Sequence, residues 1–364
     1  MSVNPFYVGT CENKVKSEEP LVFDPVLDKP FEPFLVQDPF GLRKAIVPVF
    51  KREVNGQIYG MGTAFHIDGW GTFLTADHVI EFARQYPNPS SNWSEISQNP
   101  NGDHIVLLLG IGLAYGTPTI PKEAFVLVEY VASPMREKDN PLTNRTQPDN
   151  AADIAMMVAV IQPTIEVPKP HFVSVRSSSS CPSVGDTVLA IGFPELECQR
   201  LDEHDQAILL NEGMYGAYGV VKEIHPSGKC ASQPTPVFEV ECNWPPGMSG
   251  GPVFNSSGEV IGLVSRGMHF GSGNGNGLGW ATCFEFISYF SEFAPTLDAL
   301  NPTGRRGWAV LRSDPWHLAG FFKTEVEAQQ LASSMNTDYQ VKYGLNDFGT
   351  NDFICQTSIL SEDL

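Results

Sequence analysis

The sequence has no segment that would anchor it in a membrane, and it has little positive charge. No apolar run among its 364 residues is long enough to cross a bilayer, and the N-terminus has no basic start followed by an apolar stretch, so we expect no secretory signal. The 23 Lys and Arg residues are outnumbered by 42 Asp and Glu, which gives a formal net charge of -19. Such a charge repels phosphate backbones and anionic lipids. The sequence therefore predicts a cytoplasmic protein with neither nucleic acid nor membrane as a partner.

Cysteine is sparse and scattered. The seven cysteines form no C-x-x-C pair, which argues against a disulfide framework and against a zinc knuckle. His66, His104 and His269 show no metal-ligand spacing either. We therefore expect free thiols, no metal and no cofactor.

Strand-forming runs separated by turn residues dominate the chain. Its 33 glycines and 29 prolines supply the backbone angles that tight turns need. Short β-rich runs begin at Ala45 and fall into two sets of similar size, joined by a connector around 162–170. Two such all-β units are typical of paired closed barrels, which leave no exposed sheet edge. We predict an irregular N-terminal arm over 1–44, a first β-barrel over 45–165 and a second over 166–295.

The C-terminal stretch has a different pattern. Residues 303–364 contain strand-like alternation on both sides of a helical segment, in which Thr324 and Glu327 have the spacing of a capping box. Apolar residues of that segment recur at helical spacing, as expected for one buried face. The pattern predicts a small α+β domain. Its role is open between substrate recruitment, docking of a regulatory protein partner and plain stability.

The run GMSGGPV at 247–253 is the sharpest local signal of chemistry. A serine nucleophile needs a hydroxyl that projects from a tight turn, and backbone N–H groups that hold the developing oxyanion. Gly247 lets the chain bend so that its own N–H and that of Ser249 converge, while Gly250 and Gly251 leave room for a substrate. Taken alone, however, the run is better explained as an ordinary loop, because serine and glycine are the commonest loop residues.

Two further residues have the chemistry that would activate such a serine. His78, in TADHV, follows a β-rich run, and an imidazole can take the serine proton and return it to the leaving group. Asp153 opens the strand-like run DIAMMVAVI, where a carboxylate can fix the imidazole tautomer and stabilise its cation. The ordinary alternative for His78 is a hydrogen-bonded core histidine, and that for Asp153 is a residue that caps a turn. Asp149 is a rival for the acidic position, but it lies in a polar loop.

Taken in this order, TADH, DIA and GMSGGP resemble the three motifs of trypsin-like serine peptidases. The resemblance covers about residues 45–290, and VGDTVLAIGFP and GEVIGLVSRG are more similar to HtrA-like and other bacterial branches than to secreted digestive ones. It implies an all-β fold of two antiparallel six-stranded β-barrels, to which the small α+β C-terminal domain is added. It also implies a catalytic triad of Ser249, His78 and Asp153, with an oxyanion hole built from the N–H groups of Gly247 and Ser249.

Some residues depart from the secreted members of this family. Val79 and Pro245 stand in neighbourhoods where those enzymes carry cysteines, which agrees with a reducing compartment. Met248 stands where enzymes activated by cleavage have an aspartate that pairs with the new N-terminus, and a thioether cannot form that ion pair. We therefore predict an oxyanion hole that does not depend on N-terminal processing. Residues 303–364 also lack the length and the carboxylate-binding loop of a PDZ module.

The same resemblance locates a primary specificity pocket. Asn243 lies where the base of the pocket is expected, while Ser265, Gly267 and Gly279 would form its walls. Small walls and an uncharged base imply an uncharged side chain before the scissile bond. Trp244, next to the base, would narrow the pocket.

Together these residues predict a serine endopeptidase that hydrolyses polypeptide substrates through an acyl-enzyme intermediate. The alternative is a catalytically silent protease fold that acts as a binding module through its C-terminal domain, since fold alone does not define function. The intact triad and oxyanion-hole positions disfavour that alternative.

Overall fold

The structure is a computed structural model of the chain. It divides into two compact units, and the second contains Ala299–Leu364. The residues described are 31–36, 42–67, 71–83, 93–95, 102–109, 124–140, 145–159, 175, 180–194, 196–198, 210–211, 213–230, 235–268, 277–287, 304–335, 337–347 and 353–355. The predicted junction between the barrels, at 165 and 166, lies outside these residues.

The described part of the first unit consists of antiparallel strands and short 3-10 helices. In chain order the strands are β1 (Phe34–Leu35), β2 (Ile46–Arg52), β3 (Ile58–His66), β4 (Thr72–Thr75), β5 (Trp93–Glu95), β6 (His104–Leu108), β7 (Phe125–Asn140), β8 (Arg145–Asn150), β9 (Ala155–Ala159), β10 (Thr187–Gly192), β11 (Glu197–Cys198), β12 (Leu210–Asn211), β13 (Tyr215–His225), β14 (Val237–Cys242), β15 (Pro252–Phe254), β16 (Val260–Met268) and β17 (Leu278–Cys283).

The first barrel is a sheet of six antiparallel strands that closes on itself. Its strand order is β7-β6-β2-β3-β4-β9, and β9 pairs back with β7. Strands β5 and β8 both add to β7. Apolar side chains of β2, β3, β4 and β9 fill the interior, because β-branched and aromatic residues pack well on a pleated surface.

The second barrel closes in the same way. Its order is β13-β10-β15-β16-β17-β14, with β13 pairing back with β14. From the predicted N-terminal arm, β1 adds to β13 with Phe34 opposite Gly216, and the Phe34 ring packs where a Cβ at Gly216 would lie. The prediction of two antiparallel six-stranded barrels is therefore confirmed.

The two barrels pack against each other along a shared apolar core. Leu189 and Ile191 of β10, with Phe193 just beyond it, lie in one buried cluster with Val47 and Val49 of β2. The end of β10 comes so close to β3 that a Cβ at Gly192 would lie 2.9 Å from Thr63 Oγ1. Loops that leave the strands at this junction are thereby held at fixed positions.

The second unit is a four-stranded sheet with one helix among its described residues. Its elements are β18 (Gly304–Ser313), β19 (Trp316–Phe322), α1 (Glu325–Ser333), β20 (Gln340–Asp347) and β21 (Phe353–Cys355). The sheet order is β19-β18-β20-β21. The predicted capping box is present: Thr324 Oγ1 accepts from the Glu327 N–H, and the Glu327 carboxylate accepts from the Thr324 N–H. Strand β19 has no counterpart in the predicted pattern, because its apolar residues run together rather than alternate. No helix in the described part of the chain is long and apolar enough to cross a bilayer.

Candidate active site

The predicted nucleophile lies in a turn between β14 and β15 that only glycines allow. Gly247 has a φ of +91° and Gly250 a φ of +84°, in the region where a Cβ is strained. A Cβ at Gly250 would also lie 2.2 Å from both the Thr63 carbonyl oxygen and Thr75 Oγ1. The run GMSGG is thus a constrained turn that contains Ser249 and packs against the first barrel.

Two N–H groups of this turn are available to a substrate. Among the described residues, neither the N–H of Gly247 nor that of Ser249 has a hydrogen-bond partner, whereas those of Met248 and Gly250 donate to carbonyls at 3.3 and 2.7 Å. The unpaired groups are the two predicted for the oxyanion hole. Donors held in this way stabilise charge that develops in a transition state.

His78 is presented by a short 3-10 helix, Asp77–Val79, that follows β4. Its Nδ1 lies 2.9 Å from Asp153 Oδ2 and 3.1 Å from Oδ1, and its backbone N–H donates to Oδ1 at 3.2 Å. A carboxylate only accepts hydrogen bonds, so Nδ1 carries the proton and Nε2 keeps its lone pair. The side chain of His78 is 41% exposed and that of Asp153 is 14% exposed. The imidazole can therefore reach a substrate while its partner is shielded from water.

Asp153 belongs to the first barrel but is held by the second. Ser265 of β16 donates its hydroxyl to Asp153 Oδ2 at 2.5 Å, and Thr282 of β17 donates to the Asp153 carbonyl oxygen at 3.1 Å. The rival Asp149 lies in β8, and the carboxylate bonded to His78 is that of Asp153. Ser265, which is predicted to form a wall of the specificity pocket, thus directs its hydroxyl to the Asp153 carboxylate.

The electrostatics of the pair favour an ionised Asp153. Burial raises the pKa of Asp153, but the hydrogen bond and charge of His78 and the hydrogen bond from Ser265 outweigh it, and the net pKa is lowered. Burial lowers the pKa of His78, as does the charge of Arg266, but Asp153 and Glu81 outweigh them, and the net pKa is raised. The pair therefore stabilises the imidazolium that forms when His78 takes a proton.

Gly62 lies between the nucleophile turn and Val79, the residue that follows His78. A Cβ at Gly62 would lie 2.7 Å from the Ser249 carbonyl oxygen and 2.8 Å from Cγ2 of Val79, the neighbour of His78. Ser249 and His78 are both in the described part of the chain, and within it no hydrogen bond joins the Ser249 hydroxyl to the His78 ring. Catalytic hydrogen bonds are often long in the absence of a substrate and tighten when one binds.

Thr63 of β3 joins the first barrel to the nucleophile turn, and nothing in the sequence pattern marks it. Its N–H donates to the Ser249 carbonyl at 2.8 Å, and its hydroxyl donates to the Gly247 carbonyl at 2.9 Å. The same hydroxyl accepts from the Phe193 N–H at 2.9 Å. Thr63 is fully buried. It therefore fixes the peptide group that lies between the two predicted oxyanion-hole donors.

Three of the residues predicted for the specificity pocket, Asn243, Gly267 and Gly279, lie beside Trp244. Asn243 Oδ1 accepts from the Gly277 N–H at 2.9 Å. A Cβ at Gly267 would lie 2.4 Å from the Trp244 carbonyl oxygen, and one at Gly279 would lie 2.4 Å from Cε3 of its ring. Both glycines are therefore required by the close approach of Trp244, which is itself 1% exposed.

One group of side chains has the spacing of metal ligands. Glu223, His225 and Glu239 lie on β13 and β14, with ligand atoms within 4.8 Å of one another. Glu239 is already engaged, since it pairs with Lys229 and accepts from Trp280 Nε1 at 3.0 Å. The group shares no residue with the predicted triad.

Two closed barrels that bring an Asp–His pair and a serine turn together at their junction define the trypsin-like class of fold. The sequence profile described as trypsin-like peptidase domain matches residues 62–263, which is more than half of the chain. The chain belongs to this family. The matched range includes Ser249, His78 and Asp153. The sequence has no significant match among curated proteins.

Proposed function

We propose that the protein is a serine endopeptidase that cleaves polypeptides through an acyl-enzyme intermediate. Membership of a peptidase family supports a protease-type function. The observation that carries the finer assignment is the bond of His78 Nδ1 to Asp153 at 2.9 Å, made at the junction where the N–H groups of Gly247 and Ser249 have no partner among the described residues.

In the proposed reaction Ser249 Oγ attacks the substrate carbonyl while His78 Nε2 accepts the hydroxyl proton. Asp153 stays ionised, because its pKa is lowered by the His78 hydrogen bond and charge against the effect of burial. The N–H groups of Gly247 and Ser249 take the negative charge of the tetrahedral intermediate. Imidazolium then protonates the leaving amine, and a water activated by His78 releases the acyl group from Ser249.

An open strand edge supports a polypeptide as the substrate. Beyond Val264, β16 pairs with β17 along one edge, and among the described residues no strand pairs with the other edge over 265–268. Unpaired backbone groups on a strand edge can bind an extended peptide as an added strand. The edge begins at Ser265, which touches Asp153, so a peptide bound there would pass the triad.

Cytoplasmic location and a regulatory partner bound by residues 303–364 are further proposals. The cysteine pattern supports the first, because the chain has no C-x-x-C pair and Cys181, Cys230, Cys242 and Cys283 are free thiols among the described residues. Burial raises the pKa of the Cys181 and Cys283 thiols, so little reactive thiolate forms.

Hydrolysis of an unfolded protein tests the proposed activity. We expect the wild-type protein to cleave reduced, alkylated casein, and Ser249→Ala to leave it intact while keeping the same circular dichroism spectrum. Equal cleavage by both proteins would assign the activity to a contaminant. Intact casein with both proteins would contradict the proposal and favour the binding module.

A further inference from the structure

Arg266 is an exposed cation at the rim of the candidate active site. It follows Ser265, whose hydroxyl is bonded to Asp153, and its backbone pairs with Trp280 at a register shift in β16. Successive side chains of a strand point to opposite faces. Ser265 is buried against the aspartate, whereas Arg266 is exposed to solvent.

The charge of Arg266 acts at the catalytic histidine. Burial lowers the pKa of His78, and the positive charge of Arg266 lowers it further, against the opposing charges of Asp153 and Glu81. Charges at a protein surface act over about 8 Å at physiological ionic strength. Arg266 also directly follows Ser265, whose hydroxyl bonds Asp153, so its place in the chain puts it at the edge of the site where a peptide would bind.

No carboxylate neutralises Arg266 in the described part of the chain, where its guanidinium has neither a hydrogen bond nor an ion pair. The two lysines in the described part of the second barrel are paired: Lys222 with Glu241 at 2.8 Å, and Lys229 with Glu239. The full chain has 42 acidic residues for 23 basic ones, so protein carboxylates are abundant. An unpaired cation beside the triad is consistent with a partner that comes from outside the protein.

Arg266 also lies on the open edge of β16. A peptide added to this edge would run about 4.8 Å from the strand, and a side chain directly opposite Arg266 would have its Cβ about 5 Å away. At that separation a guanidinium and a carboxylate form charge-assisted hydrogen bonds, which Arg can make in pairs. A lysine in the same position of the peptide would be repelled.

We propose that Arg266 forms a cationic subsite that selects substrates with Asp or Glu at the residue opposite it. The inference rests on the proposed function, and it names the substrate class of the same site. Arg266 determines specificity in this account and takes no part in proton transfer.

Cleavage of a peptide library tests the subsite. The library is a proteome digest, and cleaved positions are identified by mass spectrometry for the wild type and for Arg266→Lys, Arg266→Gln and Arg266→Glu. All four proteins are assayed at pH 8.5, so that changes in the protonation of His78 do not dominate. Each rate is normalised to the fraction of protein labelled by a fluorophosphonate, which counts reactive serines independently of peptide binding.

For the wild type we expect Asp and Glu to be favoured about threefold to fivefold at one position near the cleaved bond, which is the upper part of the range for an exposed ion pair. Arg266→Lys should keep part of the preference, Arg266→Gln should abolish it, and Arg266→Glu should replace it with a preference for Lys and Arg. If the wild type is labelled but does not favour Asp or Glu, or if Arg266→Glu keeps the preference for Asp and Glu, the subsite is refuted and the proposed peptidase activity is not. Absence of labelling in the wild type would overturn both.

Discussion

Replacement of Thr63 by valine should damage both stability and catalysis, because one buried hydroxyl serves two backbone groups. Valine has nearly the same shape but can neither donate to the Gly247 carbonyl nor accept from the Phe193 N–H, both at 2.9 Å in the native protein. Leaving a buried polar group unsatisfied costs about 1–3 kcal/mol. With two groups affected, we expect the free energy of unfolding to fall by about 2–6 kcal/mol, as measured by urea denaturation.

The catalytic effect should be separable from the loss of stability. The peptide that follows Gly247 lies between the two predicted oxyanion donors, and loss of a whole donor lowers kcat by about 10²–10³-fold. A misplaced donor should cost less, so we expect Thr63→Val to lower kcat about 10- to 100-fold with little change in KM, at a temperature where the variant is fully folded.

Thr63→Ser is the matched control, since it keeps the hydroxyl and removes only a methyl group. It should retain most of kcat while losing about 1 kcal/mol of stability. If the serine variant lost as much kcat as the valine variant, Thr63 would act through packing rather than hydrogen bonding. An unchanged kcat in folded Thr63→Val would refute a role of the Thr63 hydroxyl in positioning the oxyanion donors.

Three further perturbations test other parts of the site and the second unit. Activity requires neutral His78, whose pKa is raised above 6.5 because Asp153 outweighs burial, so kcat/KM should fall as the pH drops through that raised value. Asp153→Asn should lower kcat by about 10³–10⁴-fold and shift this fall in kcat/KM to lower pH. If the fall stayed at the same pH, the pairing of Asp153 with His78 would be contradicted. Gly250→Ala should abolish fluorophosphonate labelling, because its Cβ would lie 2.2 Å from the Thr63 carbonyl oxygen. Gly56 also has a positive φ, +81°, but a Cβ there would meet nothing within 4 Å, so Gly56→Ala should keep labelling and lower the free energy of unfolding by about 1–2 kcal/mol. Equal loss of labelling in both variants would refute the steric explanation. Thr324→Ala should speed hydrogen exchange in α1, because it removes a cap worth about 1 kcal/mol, while Thr324→Ser should preserve protection. Equal exchange in the wild type and both variants would show that the capping box does not stabilise the helix.

The barrels and the Asp–His pair could be predicted because their signals are local. Strand-forming runs between turn residues indicated two closed sheets, and three short motifs in a family order indicated Ser249, His78 and Asp153. Each motif alone was ambiguous, and only their combination with the strand pattern predicted a triad. The prediction that His78 and Asp153 lie together agrees with their 2.9 Å contact, although they are 75 residues apart.

The supporting contacts could not be predicted, because they join segments that approach only after both barrels form. The hydroxyl of Ser265 reaches Asp153 across 112 residues, that of Thr282 across 129, and that of Thr63 reaches Gly247 across 184. Serine and threonine are common in strands, and neither spacing nor composition distinguishes these three. Strand β19 was not predicted, because its apolar residues run together and lack the alternation that marks a half-buried strand.

Covalent labelling of Ser249 tests the central claim most directly. The native protein is treated with a fluorophosphonate, and the modified residue is located by peptide mass spectrometry, with Ser249→Ala and His78→Ala as matched variants. We predict one adduct, on Ser249, that is absent in Ser249→Ala and forms at least about 100-fold more slowly in His78→Ala. No adduct in the folded wild-type protein, or an adduct on Ser249 that forms at the same rate without His78, would contradict the proposed triad.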